Sequence, residues 1–229
     1  MENARSEVVR TEELVGSLAG DVTPVRRLLW PWVRLLVWLA FSLPWIAFIV
    51  WYRGPRADIA LKIGEGGWLF EQSLALTTAL AAGLAALCAS IPGRPVWERV
   101  LPLLPLGLWI AIVVGGSVRS VMAGGAWSPL LEVDWICLPN IASLAVVPAI
   151  AMIALIRRGA PVSPYTTIGY AALAATALAE FGLRFFHAQD ASLMVLVWQM
   201  GSVALLTAIF IVFARHLFPW RLGIPTVAG

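Results

Sequence analysis

A short polar stretch interrupts an otherwise apolar sequence near its C-terminal end. The residues FHAQDASLMVLVW, 186–198, place His187 and Asp190 between two long apolar runs. A histidine close to an acid belongs to an active site, to a metal or sensing site, or to a plain turn between membrane helices. Because one histidine with a few acids is a weak set of metal ligands, we expect no metal site and no cofactor.

Two carboxyl groups and one guanidinium precede this stretch within apolar sequence. Glu71 and Glu180 lie inside apolar segments, where an unpaired carboxylate is costly. Arg184 follows Glu180 by four residues on the same predicted helix face, an order that favours an ion pair. Either these groups tie helix ends together, or they form a sensing site. The candidate sensing residues are Cys137, His187, Asp190, Glu180 and Arg184.

The amino-acid composition indicates whether the segments that carry these residues are surrounded by water or by lipid. Of the 229 residues, 60% are hydrophobic and 13% are charged, and the mean hydropathy is +0.85. A soluble domain has about a quarter of its residues charged, so we predict an all-α polytopic membrane protein. Six segments are long enough to cross about 30 Å of hydrocarbon: 31–52, 67–92, 97–118, 135–157, 164–186 and 192–214.

The distribution of basic residues predicts the orientation of the six spans. With a cytoplasmic N-terminus, the inner flanks carry more basic residues than the outer loops, as the positive-inside rule requires. The inner residues are Arg26, Arg27, Arg34, Arg94, Arg99, Arg157, Arg158, Arg215 and Arg221, and the outer ones are Arg53, Arg56, Lys62, Arg119 and Arg184. Both termini are then cytoplasmic, with a transmembrane domain at 31–218 and a tail at 219–229.

The two cysteines, Cys88 and Cys137, fall near opposite membrane faces in this topology. Their predicted depths differ by about 25 Å, whereas a disulfide requires Cα atoms within about 7 Å. We therefore expect no bond between them.

The first thirty residues differ from the rest because they are polar and acidic. Leu14, Val15 and Leu18 recur at helical spacing after two acids in a predicted first turn. So short an amphipathic helix is marginal alone, which favours a segment that folds on a partner; a frayed tail is the alternative. The candidate partner-binding residues are Glu12, Glu13, Leu14, Val15, Leu18 and Asp21.

Several classes of function are disfavoured by the sequence. It lacks the motifs of serine hydrolases, zinc proteases and P-loop proteins, and its two histidines are predicted on opposite faces, so we expect no enzyme and no catalytic residue. No run of Lys and Arg indicates a nucleic-acid partner. A small six-span transporter is the main alternative, since prolines interrupt two spans at Pro102, Pro105, Pro139 and Pro148.

Three stretches together resemble a known family. They are TEELVGSLAGDVTPVRRL at 11–28, LIRRGAPVSP at 155–164 and FHAQDASLMVLVW at 186–198. In their order and spacing they resemble the NrsF-like family of negative regulators of sigma F, which are six-span anti-sigma factors of the bacterial inner membrane.

The resemblance implies a function for each part of the chain. Residues 1–30 would bind an extracytoplasmic-function sigma factor, and the membrane domain would release it on envelope, metal or oxidative stress. The implied partners are this sigma factor and the lipid bilayer. Two cysteines are associated with sensing in the family; Cys137, in DWICLP, matches the first, whereas Ala188 occupies the position of the second.

Overall fold

The computed structural model describes residues 11, 13–17, 19–20, 28–123, 136–160, 163–188 and 195–213. Residues 11, 13–17 and 19–20 are helical. A π-helical turn, Val195–Met200, leads into the last helix. The further helices are α1 Pro31–Arg53, α2 Ile59–Gly64, α3 Gly66–Ala89, α4 Trp97–Val100, α5 Leu103–Met122, α6 Cys137–Ile156, α7 Pro164–Leu183 and α8 Gly201–Val212.

Among the described residues, six helical spans are long and apolar enough to cross a membrane, which confirms the predicted number. Their bounds agree with the predicted ones within a few residues. Pro31 and Pro164 begin helices, where a missing amide hydrogen is harmless, and Gly54 ends α1 with a φ of 81°. The spans are Pro31–Arg53, Gly66–Ala89, Trp97–Met122, Cys137–Ile156, Pro164–Leu183 and Val195–Val212.

The prolines singled out in the sequence mark specific features of the third and fourth spans. Pro102 lies in a short break between α4 and α5, and Pro105 lies in the first turn of α5. Pro139 lies in the first turn of α6, where helix amides need no partner within the helix. Pro148 lies within α6 and removes one of its hydrogen bonds.

The helices α3 and α7 form the centre of the bundle, and small side chains bring them together. Buried alanines line both helices: Ala75, Ala79, Ala82 and Ala86 on α3, and Ala171, Ala174 and Ala177 on α7. Helices in lipid associate through close packing of such residues. Gly83 of α3 allows a similar approach by α1 and α6, because a Cβ there would lie 3.0 Å from Leu35 and 3.2 Å from Met152.

Contacts between helix ends define the two ends of the bundle. The C-terminus of α1 meets the N-terminus of α6, and the C-terminus of α7 meets the N-terminus of α3; we call this the Arg53 end. At the opposite, Arg34 end, the start of α1 meets the C-termini of α3 and α6. The predicted orientation places the Arg53 end outside the cytoplasm.

Exposed aromatic side chains mark both ends of α1. Trp30 and Trp32 lie at its start, and Trp51 and Tyr52 lie at its end. The helix between Trp32 and Trp51 is roughly 29 Å long. Because such rings favour the membrane interface, their separation fits one hydrocarbon core.

Candidate functional site

Glu71, Glu180 and Arg184 come together at the Arg53 end, and we call them the acid–arginine cluster. Glu71 lies near the start of α3, Glu180 in the last turn of α7, and Arg184 directly after α7. Arg184 Nη2 lies 3.5 Å from Glu71 Oε2, so an ion pair joins α7 to α3. Only 3% of the Arg184 side chain is exposed.

The ion pair expected within α7, between Glu180 and Arg184, is not the one that forms. Glu180 is 1% exposed, and its Oε2 accepts no hydrogen bond from any described residue. Glu71 is the more exposed of the two carboxyl groups, with 18% of its side chain exposed, so its ionised form is less costly beside Arg184 than that of the buried Glu180. Glu180 still interacts electrostatically with both of the other members.

Aromatic packing and one loop hold the cluster in place. Phe185 packs edge-on against Trp68 of α3 and Phe181 of α7. The carbonyl of Phe185 accepts a hydrogen bond of 2.9 Å from the Arg56 amide. The Arg56 guanidinium pairs with Asp58 at 2.6 Å, and this hydrogen bond lowers the pKa of the Asp58 carboxyl. The loop after α1 is thereby attached to the end of α7.

The other candidate sensing residues lie on two different elements. Cys137 is the first residue of α6 and is fully buried. His187 follows the acid–arginine cluster, and its amide donates to the Leu183 carbonyl at 2.9 Å. Asp190 lies outside the described residues. The structure thus gathers Glu180 and Arg184 with Glu71, while Cys137 belongs to the neighbouring α6.

A second polar site, at the Arg34 end, was not found from the sequence. Arg34 is 3% exposed, and its guanidinium donates to Ser90 Oγ at 3.2 Å and to the Leu155 carbonyl at 2.6 Å. Ser90 caps α3, and Leu155 lies in the last turn of α6, where its carbonyl also accepts a hydrogen bond of 3.3 Å from the Arg158 amide beyond the helix. Helix C-termini favour cations, so the buried charge is stabilised by both ends. From the sequence, Arg34 was considered only as one of the basic residues that predict the orientation of the spans.

The two cysteines lie at different ends of the bundle. Cys88, in the last turn of α3, is buried at the Arg34 end, and its Sγ lies 3.8 Å from Arg94 Nη2. The same arginine pairs with Glu98 at 2.6 Å. Cys137 lies at the Arg53 end, and no disulfide joins the two, as expected from their predicted depths.

The predicted partner-binding residues are partly described. Glu13, Leu14 and Val15 are helical and exposed, and Leu14 and Val15 are each 59% exposed. Glu12, Leu18 and Asp21 lie outside the described residues. Two large aliphatic side chains therefore remain uncovered next to an acid.

Comparison with known protein families identifies the group to which this helical bundle belongs. The model of the NrsF family, described as negative regulator of sigma F, matches residues 18–220. The chain belongs to the NrsF family. The match confirms the resemblance seen in the sequence, and it covers the six apolar spans found among the described residues. No curated protein and no solved structure matches the chain.

The region that matches the NrsF family model includes some of the candidate residues and leaves out others. It includes all five candidate sensing residues, as well as Leu18 and Asp21. It begins after Glu12, Glu13, Leu14 and Val15. The partner-binding part of the prediction therefore depends on the amphipathic pattern of this chain and on its exposed side chains.

Proposed function

We propose that this protein is a membrane-bound anti-sigma factor. Its N-terminal segment, residues 1–30, holds an extracytoplasmic-function sigma factor at the cytoplasmic face of the bacterial inner membrane. The match to a family of negative regulators of sigma F carries this proposal. It also favours this function over the transporter that six spans would allow.

The exposed residues of the N-terminal segment suit the binding step. Leu14 and Val15 provide apolar contacts, and the acids beside them are complementary to a basic surface. An amphipathic helix that docks in a groove commonly uses this combination. Sequestration then needs binding alone, with no cofactor, no catalytic residue and no contact between this protein and nucleic acid.

The membrane domain provides the response in this proposal. Envelope, metal or oxidative stress acts at the Arg53 end, on the set formed by Cys137, His187, Asp190, Glu180 and Arg184. The resulting change in the bundle weakens the hold of residues 1–30 on the sigma factor. With Ala188 at the position of the family's second cysteine, Cys137 acts without that partner.

The test is direct binding by the full-length chain in lipid nanodiscs. We would titrate the sigma factor encoded nearest to its gene at two salt concentrations and record binding by interferometry. We expect micromolar or tighter binding that weakens with salt, because acids of the segment meet a basic surface. Failure of the wild-type chain to bind would contradict the proposal.

A matched pair of double variants locates the binding surface. Leu14→Asp with Leu18→Asp places two charges on the apolar stripe and should abolish binding. Gly16→Asp with Gly20→Asp adds the same charge on the opposite helix face, where a side chain at either glycine meets no atom within 4 Å. This control should bind like the wild type. Equal binding by both variants would exclude the stripe.

A further inference from the structure

Four side-chain hydrogen bonds join α1 to α6 along nearly their whole length, and we call this set the α1–α6 seam. All four donors belong to α1 and all four acceptors to α6, in antiparallel order. From the Arg53 end to the Arg34 end they are Arg53 Nη2 to Asn140 Oδ1 at 2.9 Å, Trp45 Nε1 to the Ser143 carbonyl at 3.1 Å, Trp38 Nε1 to the Pro148 carbonyl at 2.8 Å, and Arg34 Nη2 to the Leu155 carbonyl at 2.6 Å.

The seam contributes much of what holds α1 against the bundle. The buried residues of α1 form one narrow stripe, Pro31, Arg34, Trp38, Ser42 and Ile46, and most of its remaining surface faces outward. Trp38 is fully buried where it donates to α6. Because hydrocarbon offers no replacement partner for a broken hydrogen bond, the seam fixes the position of α1 more firmly than the same bonds would in water.

Both helices of the seam are interrupted near their middle. Pro44 lies inside α1 and Pro148 inside α6, and each removes a hydrogen bond from its own helix. Helices bend at such points. A helix that is fixed at both ends and weakened in the middle can adopt a second tilt when one end is released.

The two ends of the seam lie close in sequence to Cys137 and to the N-terminal segment. At its outer end, Asn140 lies three residues after Cys137 and on the same helix face. At its inner end, Arg34 lies in the first turn of α1, immediately after the segment 1–30. The two ends of the seam on α1, Arg53 and Arg34, are separated by roughly 29 Å of helix.

We infer that the α1–α6 seam couples the Arg53 end of the bundle to the N-terminal segment, with Asn140, Arg53 and Arg34 as positioning residues. Loosening the Arg53–Asn140 bond tilts α1 and withdraws Arg34 from Leu155 and Ser90. The direction of this signal rests on the proposed function, whereas the mechanical coupling does not.

Hydrogen exchange of the full-length protein in nanodiscs tests the coupling without any partner. Asn140→Ala removes the outer acceptor and should raise the exchange of amides 33–38, the first amides of α1 that have hydrogen-bond acceptors, by about three- to tenfold, the effect of losing roughly one net hydrogen bond. Asn140→Asp keeps an acceptor oxygen for Arg53 and should restore exchange to the wild-type rate. Arg53→Met removes the donor at the exposed end of α1 and repeats the test from the donor side if Asn140→Ala fails to fold.

A control outside the seam separates coupling from general loosening. Thr207→Val removes the 3.3 Å hydrogen bond between Thr176 of α7 and Thr207 of α8. It should leave the exchange of amides 33–38 unchanged. The inference is overturned if Asn140→Ala raises exchange only near residues 50–60 and 137–145, or if Thr207→Val has the same effect on amides 33–38.

A second measurement distinguishes failure of the inference from failure of the proposed function. Asn140→Ala should raise the rate at which the sigma factor dissociates from the full-length chain, and Asn140→Asp should restore it. If the sigma factor binds but its dissociation rate is unchanged in Asn140→Ala, the seam does not carry the signal, and the proposed function stands. If no sigma factor binds the wild-type chain, the proposed function fails, and hydrogen exchange still decides whether the seam couples the two ends.

Discussion

At the scale of single residues, Arg34 and Arg184 illustrate two ways to hold a guanidinium inside an apolar bundle. Arg184 pairs with a carboxylate from another helix. Arg34 instead donates to a hydroxyl and a carbonyl at the C-termini of two helices. In the second case the helix ends supply partial negative charge, so the cation is stabilised without a formal anion. Each arginine joins helices that are distant in sequence.

Replacing Arg34 should destabilise the fold. Arg34→Met keeps the length of the side chain but removes both hydrogen bonds, which leaves two buried acceptors without this donor. We expect the free energy of unfolding to fall by about 2 kcal/mol, measured by detergent titration in mixed micelles. Arg158→Met makes the same change at an exposed position of the same end and should alter this free energy by less than about 0.5 kcal/mol. Equal effects of the two variants would show that the contacts of Arg34 contribute no stability.

The two carboxyl groups of the acid–arginine cluster should respond differently to neutralisation. Glu71→Gln removes the negative charge that pairs with the buried Arg184 and should lower the free energy of unfolding by about 1–2 kcal/mol. Glu180→Gln removes a group whose Oε2 has no hydrogen bond from any described residue, so it should be neutral within about 0.5 kcal/mol, or stabilising. The same detergent titration ranks the two variants. The opposite ranking would mean that Glu180 is the true partner of Arg184.

The sequence identified the members of this cluster but not their pairing. The rule for residues four apart placed Glu180 beside Arg184, and both lie at the end of α7 as expected. It could not show that Glu71, 113 residues away along the chain, competes for the same guanidinium. Arg34 was missed for the same reason, because its partners Ser90 and Leu155 become neighbours only after the helices pack.

At the scale of elements, hydropathy and helix-terminating residues were enough to predict the six spans. The length of hydrocarbon fixes how many apolar residues a span needs, so each span is encoded locally. Which helices pack against each other depends instead on the residues along each helix face, such as the buried alanines of α3 and α7. In the sequence alone, those alanines cannot be distinguished from other apolar residues. The central position of α3 and α7, and the seam between α1 and α6, therefore required the structure.

Two glycines in helices should respond oppositely to an added methyl group. A Cβ at Gly182 of α7 would lie 2.6 Å from Ile46 Cγ2 of α1, and a β-branched side chain in a helix cannot easily move aside. We expect Gly182→Ala to lower the free energy of unfolding by about 1–3 kcal/mol. Gly107 of α5 has no atom within 4 Å of such a Cβ, so Gly107→Ala should raise it by about 0.4–1 kcal/mol. If Gly182→Ala were also stabilising, α1 would not be packed as closely on α7 as the structure shows.

At the scale of the whole molecule, the bundle presents two chemically different ends. The Arg53 end contains the acid–arginine cluster and Cys137, whereas the Arg34 end contains the start of α1, which follows residues 1–30 in the sequence, and exposes Arg157 and Arg158. A regulator that senses outside the cytoplasm and binds inside needs such a division. The proposed function therefore depends on which end faces the cytoplasm, a property that the distribution of basic residues predicts.

Cysteine labelling in intact cells tests this orientation. Pro55 and Pro92 are exposed residues in turns at opposite ends of the bundle, so Pro55→Cys and Pro92→Cys form a matched pair. The native Cys88 and Cys137 are buried and should give little background with a maleimide that does not cross membranes. We expect the reagent to label Pro55→Cys in intact cells and Pro92→Cys only after the membrane is permeabilised. The reverse pattern would place residues 1–30 outside the cytoplasm, where they could not meet a sigma factor that serves the cytoplasmic polymerase, and sequestration by this segment would then be ruled out together with the orientation.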